Sequence, residues 1–295
     1  IAMKLGPTDR LIGVAPCNDE SDIMLASNKG KAIRFATKDL RVFNSRDSMG
    51  VRGIKLKEND YVVISIYVNP TQFNHKIDLE SYPSNPEDDM ILLDSFSDQI
   101  IFYTPDHKDL YPGKIKSKSY NFGSITTHME GQFRPGHFNG VATVVEALFK
   151  NINPKTAYFG EKDFQQLQMI KNLNAQKKLN ITIVGCPIVR EKDGLAMSSR
   201  NSLLSPEQRK AAPVIYATLK NLNEKYLKCE VSQMSVFFKK QVEQHCLKVE
   251  YFFVASINDL IPVSKLEFNK KYRFFVAVFA GKTRLIDTIE LNRKK

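Results

Sequence analysis

The spacing of apolar residues changes near residue 66. That change divides the chain into an all-β beginning and an α/β remainder. In the first part, short alternating runs at Asp22–Ser27 and Lys31–Phe35 flank the turn Asn28-Lys-Gly30. Alternation with a period of two around a Gly-ended turn is strand chemistry. The same segment carries a degenerate repeat, in which Ala2–Ile12 aligns with Gly53–Val63 and Lys4/Lys55, Leu5/Leu56 and Asp9/Asp60 match at a fixed offset. A repeat of about 50 residues is blade-like.

Beyond residue 66 the strand candidates are Tyr61–Val68, Gln99–Tyr103, Thr156–Phe159 and Ile181–Val189, with helix candidates between them. Val141, Val144, Val145, Leu148 and Phe149 recur at helical spacing, and Pro154 stops that helix. Strands alternating with helices imply a mainly parallel sheet. A third region begins near Arg190. It contains the helix start Ser205-Pro-Glu-Gln208, a capping box with Pro at the first helical position, and the β-rich runs Val249–Val254 and Tyr272–Ala280. The expected divisions are an all-β blade at 1–66, a Rossmann-like domain at 67–189 and a small α+β lid domain at 190–295.

Composition narrows the function classes. The hydrophobic fraction of 42% supports ordinary cores. The longest apolar stretch, Phe274–Ala280, is far short of the ~20 residues a membrane span needs, so no membrane association is expected. Cys17, Cys186, Cys229 and Cys246 form no CxxC pair and no Cys/His cluster, as reduced cytoplasmic thiols would. The net charge of +11 is spread along the chain; it suits anionic ligands such as nucleotides and equally describes a solvated basic surface. The start, Ile-Ala-Met-Lys, has no initiator Met and no signal-peptide shape, so the chain is expected to be a fragment at its N-terminus.

Two motifs follow predicted strands, where open α/β sheets bind ligands. One is Gly160-Glu-Lys-Asp-Phe-Gln-Gln-Leu167 and the other is Gly194-Leu-Ala-Met-Ser-Ser-Arg-Asn201. Lys162 is a mobile point charge suited to phosphates, or an ordinary surface lysine. Asp163 and Gln166 have the spacing of a capping box. Ser198, Ser199 and Arg200 offer hydroxyls and a fixed fork of donors suited to triphosphate oxygens, or a polar turn. Asn69 and Gln72 are neutral amides after a strand, able to bind a small hydroxy acid or to make an Asn-Pro turn. Asp88 and Asp89 fall in a predicted first helical turn, where acids complement the helix dipole.

With Asn69-Pro-Thr-Gln-Phe73 and Arg134-Pro-Gly-His-Phe138, these motifs resemble the pantothenate synthetase (pantoate–β-alanine ligase) family from about Val62 to the C-terminus. The resemblance implies a Rossmann-like parallel sheet of the nucleotidyl transferase type with a small C-terminal domain. It implies ATP-dependent joining of pantoate to β-alanine through pantoyl adenylate, with ATP as cosubstrate, Mg²⁺, and a homodimer. It places Lys162, Ser198, Ser199 and Arg200 in catalysis. ATP falls to Gly160, Lys162, Asp163, Val189, Met197 and Ser198–Arg200. Pantoate falls to Asn69, Gln72, Tyr82, Arg134 and Gln166, and Mg²⁺ to Asp88 and Asp89. His137 is expected to be a structural hydrogen-bonder.

The family's first strand, the helix after it and its His-x-Gly-His motif have no counterpart here, so the sheet is expected to be truncated. The histidines are His75, His107, His128, His137 and His245, and no two stand as His-x-x-His. There is also no P-loop and no GxGxxG. Negligible synthetase activity is therefore expected. In place of the missing segment, Ile23–Phe35 and Met49–Leu56 resemble one blade of the C-terminal β-pinwheel of DNA gyrase. The two resemblances meet inside Val62–Val68, as recombination or sequence misassembly would produce. The alternatives are DNA binding through residues 1–66, not expected of a lone blade, and a remnant that binds ligand without turnover.

Overall fold

The apolar runs beyond residue 60 become strands close to where their pattern places them. The computed structural model describes residues 22–26, 32–36, 61–74, 79–80, 82–83, 100–111, 113–225 and 230–291. In the first segment, β1 (Asp22–Ala26) and β2 (Ala32–Ala36) pair antiparallel with Met24 opposite Arg34. The turn Asn28–Gly30, Ala2–Ile12 and residues 53–60 of the repeat lie outside the described residues.

Strands β3 (Val62–Ser65) and β4 (Ile100–Tyr103) pair parallel, Val62 opposite Ile100. A parallel pair needs a crossover of a dozen or more residues between its strands, and the chain from Ser65 to Ile100 is long enough to make one. Strands β5 (Thr156–Gly160) and β6 (Thr182–Cys186) form a second pair. Helices α1 (His107–Leu110), α2 (Glu130–Phe133) and α3 (His137–Ile152) come before β5. Helix α3 buries Val141, Val144, Val145 and Phe149. It ends before Pro154, with Asn153 in the left-handed region at φ +48°, a position that favours Gly or Asn.

Helix α4 (Phe164–Gln176) follows β5 and buries Leu167, Met169, Ile170 and Leu173. The capping box expected of Asp163 and Gln166 does not form: Asp163 stands at the N-cap, but its carboxylate caps no amide. The 3₁₀ turn Glu161–Asp163 runs directly into the helix and leaves Asp163 at ψ 54°. The extended backbone that aims a cap side chain at the first turn is missing.

The box at Ser205 does form. Ser205 Oγ accepts from the Gln208 amide at 3.3 Å, and Gln208 Oε1 accepts from the Ser205 amide at 3.0 Å, starting α5 (Pro206–Ala211). Helices α6 (Val214–Lys225) and α7 (Val231–Glu243) precede an antiparallel sheet of β7 (Lys248–Ser256), β8 (Tyr272–Ala280) and β9 (Thr283–Glu290). Strand β9 was not among the expected runs. Its buried positions include Thr283, Asp287 and Thr288, so its inward face does not read as apolar.

Strand β8 is buried on both faces, which is why it runs unbroken apolar from Phe274 to Ala280. Tyr272, Phe274, Val276 and Val278 join Leu219, Leu222, Met234 and Phe238 of α6 and α7 in one core. Phe275 and Ala277 join Phe164, Leu167 and Met129 in another. Each large side chain buried here contributes roughly 1.5–3 kcal/mol. The second core places the C-terminal sheet directly behind the Gly160–Gln166 motif.

The described residues divide into two compact units. One contains β1–β4 with residues 104–106 and 152–157, and the other contains the remainder. The motif residues described below all lie in the second unit. No helix among the described residues is long and apolar enough to cross a membrane.

Candidate active site

The turn after β3 builds one side of the site. Asn69 caps the 3₁₀ turn Pro70–Gln72 and is 2% exposed. Its Nδ2 donates to the Gly140 carbonyl at 3.1 Å and to Gln72 Oε1 at 3.3 Å. Its Oδ1 accepts from the Thr71 amide and from the Thr71 and Tyr111 hydroxyls. The Asn69 amide is thus spent within the protein, and it orients the Gln72 amide. Gly140 permits the close approach: a Cβ there would sit 2.2 Å from the Thr71 carbonyl oxygen.

The backbone carbonyl of Gln72 is held twice, by His137 Nδ1 at 2.9 Å and Arg134 Nη2 at 3.3 Å. Nδ1 carries the proton because it faces a carbonyl, so Nε2 accepts from Arg134 Nη1 at 3.2 Å. Burial, with the Arg134 charge beside it, pushes His137 down to about 4. The imidazole is therefore neutral near pH 7, and it acts as the expected structural hydrogen-bonder.

Arg134 is itself held by Glu130, Nη1 to Oε2 at 3.3 Å. The same buried carboxylate receives Arg284 from β9 in a bidentate pair at 2.7 and 2.9 Å, and the Tyr251 hydroxyl at 2.7 Å. Burial alone would raise the Glu130 carboxyl. Hydrogen bonds and charge from Arg284, with Arg134 and Tyr251, hold it at about 2 instead.

Strand β5 ends at Gly160 and delivers Lys162 between two adjoining clefts. Glu130, His137, Asp163, Gln166 and Tyr251 line the first, and Ser198, Asn201, Asp287 and Leu195 line the second; Lys162 and Ile286 line both. Asp163 is exposed, and Gln166 is half-buried in the first turn of α4. The neighbouring Glu161 is engaged elsewhere: its carboxylate accepts from buried Arg273 of β8 at 2.8 Å. That pair fastens the Lys162 turn to the C-terminal sheet.

The second motif rides on a small hairpin. Met197 N–H donates to the Val189 carbonyl at 3.0 Å, Glu191 N–H to Leu195 at 2.8 Å and Gly194 N–H to Glu191 at 2.8 Å. Gly194 sits at φ +93°, and a Cβ there would meet the Tyr216 ring at 2.6 Å. Arg190 lies over that ring at 3.7 Å and pairs with both oxygens of Asp287 at 2.7 and 2.8 Å. Ser198 Oγ then caps the 3₁₀ turn Ser199–Leu203 by accepting from the Arg200 amide at 3.3 Å. Ser199 Oγ donates to the Tyr82 hydroxyl at 3.3 Å, and the Arg200 guanidinium lies 5.1 Å from the Tyr82 ring centroid. Tyr82 meets Phe73 edge-on at 5.4 Å, which leads back to Gln72. Val189 and Met197 are partly exposed beside the loop, at 37% and 50%.

The motif residues therefore form a ring: Gln72, Arg134 and His137, Lys162 with Asp163 and Gln166, Ser198 to Arg200, Tyr82. Asp88 and Asp89 lie outside the described residues. Among the described residues, no group of three or more His, Cys, Asp or Glu is placed to hold a metal ion. Sequence reasoning missed Glu130, Arg190, Arg273, Arg284 and Asp287. Their partners lie 97, 112 and 154 positions away, beyond any local spacing rule. Asn201, also missed, lines the second cleft and donates to the Ala196 carbonyl at 3.1 Å.

A parallel strand pair, motifs gathered at strand ends and a small α+β C-terminal region define a protein of the Rossmann-like nucleotidyl transferase type. Residues 52–290 match the Pantoate-beta-alanine ligase family, a family of ATP-dependent ligases, and the chain belongs to it. A relative described as pantothenate synthetase, from Christiangramia forsetii, is 46% identical over 239 residues, covering 80% of this chain and 84% of the relative. The crystal structure of pantothenate synthetase from Thermus thermophilus has a TM-score of 0.73 at 36% identity, covering 80% of this chain and 85% of that one. The Francisella tularensis pantoate-beta-alanine ligase, complexed with beta-gamma ATP and beta-alanine, has a TM-score of 0.66 at 32% identity, covering 80% and 82%. Residues 21–69 match the C-terminal β-propeller domain of DNA gyrase. The two matches overlap over residues 52–69, a span that includes Val62–Val68, where the two resemblances were expected to meet.

Proposed function

We propose that this chain carries the pantoate and nucleotide subsites of an ATP-dependent pantoate–β-alanine ligase. The observation behind it is the ring of side chains just described, with Lys162 shared between two clefts. A carboxylate is activated when its oxygen attacks the α-phosphate of ATP and pyrophosphate leaves. The acyl adenylate then yields an amide when the β-alanine amine attacks the carbonyl and AMP leaves. Such chemistry needs positioning and charge neutralisation rather than a covalent enzyme intermediate.

In this reading Gln72 and Gln166 hold pantoate, with Tyr82 closing the same side. Arg134 contributes charge, and Asn69 acts by orienting Gln72. Lys162, Ser198, Ser199 and Arg200 take the phosphates. Gly160, Asp163, Val189 and Met197 surround the remainder of ATP. Mg²⁺ at Asp88 and Asp89, a homodimer, and domain divisions at 66/67 and 189/190 belong to the same proposal; no step here runs through the metal.

The chain as it stands is expected to bind these ligands with negligible turnover, because it contains no His-x-x-His pair to receive the phosphates. Calorimetry with pantoate and with ATP, followed by an assay for pantothenate from pantoate, β-alanine and MgATP, tests both parts. Heat of binding with each ligand and no product is the expected result. Product at an ordinary enzyme rate would overturn the impairment, and absence of binding with both ligands would overturn the site.

A further inference from the structure

We infer that Arg284, on the C-terminal strand β9, is a positioning residue for the hydroxy-acid subsite, acting on Gln72 through Glu130 and Arg134. The inference rests on the functional reading above, in which Gln72 faces pantoate.

Arg284 reaches both oxygens of Glu130, at 2.7 and 2.9 Å, and is itself braced by Glu250 at 2.6 Å. The guanidinium is planar, so a bidentate pair fixes the carboxylate in orientation as well as in place. Glu130 Oε2 then receives Arg134 Nη1. The same nitrogen of Arg134 donates to His137 Nε2, and its Nη2 donates to the Gln72 carbonyl. The side-chain amide of Gln72 is anchored at the other end by Asn69. Each link has a defined donor and acceptor, and each leaves little freedom to the next.

The chemistry of the chain of contacts also explains its length. A cation brought near a small acid would bind it loosely from many angles. Arg134 is restrained by a carboxylate that is restrained in turn, so its free donors keep one direction. Glu250 takes part of the Arg284 charge, so the cluster of Glu130, Glu250, Arg134 and Arg284 is neutral overall, and what it supplies to the subsite is orientation rather than excess charge. Arg284 lines neither cleft, and its side-chain contacts go to Glu130, Glu250 and Tyr251. A defect there should therefore reach the acid and not the nucleotide.

The test is calorimetry of the full chain, wild type and Arg284→Lys, with pantoate and separately with ATP. Lysine keeps the charge but cannot make the bidentate pair. The expected result is pantoate affinity about tenfold weaker, with ATP affinity unchanged within twofold. A second variant, Tyr251→Phe, removes one hydrogen bond to Glu130 and keeps the ring that packs on Phe133 and Phe253. It should weaken pantoate about threefold, again sparing ATP. If both ligands weaken together in both variants, the residue is merely structural and the inference fails. If pantoate affinity is unaltered in both, it also fails. A wild-type chain that binds ATP but no pantoate would instead remove the pantoate reading on which it rests.

Discussion

Arg190 and Asp287 meet in a two-pronged ion pair at 2.7 and 2.8 Å, across 97 positions of sequence. Arg190 begins the hairpin that presents Ser198–Arg200, and Asp287 lies on β9 and lines the same cleft as Lys162 and Ser198. The Ser198–Arg200 loop is thus aligned by the C-terminal sheet and not by its own backbone alone. Arg273 does the same for the Lys162 turn through Glu161, and Arg284 for Arg134 through Glu130.

Removing one partner of the Arg190 pair should be costly, because the side chains are only 14% and 4% exposed. Arg190→Met leaves Asp287 a buried, unpaired carboxylate, and the expected loss of stability is about 3 kcal/mol. Arg190→Lys keeps the charge but not the fork, and should cost about 1 kcal/mol. Both should weaken ATP more than pantoate. Urea unfolding and calorimetry read the two effects separately.

Gly140→Ala places a methyl against the Thr71 carbonyl oxygen at 2.2 Å, a distance that backbone cannot absorb without moving. Helix α3 itself tolerates alanine well, so the helical content should be unchanged by circular dichroism. The Pro70–Gln72 turn is expected to shift and pantoate affinity to fall about tenfold or more. Unchanged affinity would mean that the turn is not held against the helix as described.

Stability should fall with acid in two steps. His137 is held near 4 against an ordinary 6.5, so the folded state excludes a proton that the unfolded chain accepts. Stability is complete above about pH 6.5 and is lost as pH falls toward 4. Glu130, held at about 2 against an ordinary 4.5, acts next: its contribution is present above about 4.5 and is lost as pH falls through 2. Each step is on the order of 3 kcal/mol. Glu146 is likewise held at about 2, by Lys150, Tyr120 and Lys118 against the effect of burial, and adds to the lower step. Urea titrations from pH 8 to about 2 check this, and His137→Asn should flatten the upper step only.

Tyr82→Phe removes a single partly exposed hydroxyl contact, that with Ser199 at 3.3 Å, and keeps the ring beneath Arg200. The expected change in stability is within about 0.5 kcal/mol. Tyr82→Ala also removes the ring and its edge contact with Phe73, and should weaken ATP and pantoate together. Calorimetry on the two variants distinguishes the ring from the hydroxyl.

Much of the local structure was legible in the sequence. The helix of Val141–Phe149 followed from its apolar spacing, and the start of α5 from Ser205-Pro-Glu-Gln208, because both depend on neighbours within one or two turns. The strands from Val62 to Cys186, and the two strands Asp22–Ala26 and Ala32–Ala36, followed from period and branching. Asp163 misled, because a 3₁₀ turn before the helix removed the backbone geometry that a cap requires. Strand β9 was hidden because the residues it buries include Thr283, Asp287 and Thr288; Asp287 finds its partner in Arg190 and Thr288 in the Phe274 carbonyl, neither of them near in sequence. The motifs around Lys162 and Ser198 were visible as patterns, but their meeting in one ring was not. Only the tertiary structure decided that Asn69 spends its amide on Gly140 and Gln72, and that Arg190, Arg273 and Arg284 of the C-terminal region align the three motif segments. The arginines lie 97, 112 and 154 positions from their partners, and a side chain's choice among distant partners is settled by packing rather than by any local spacing.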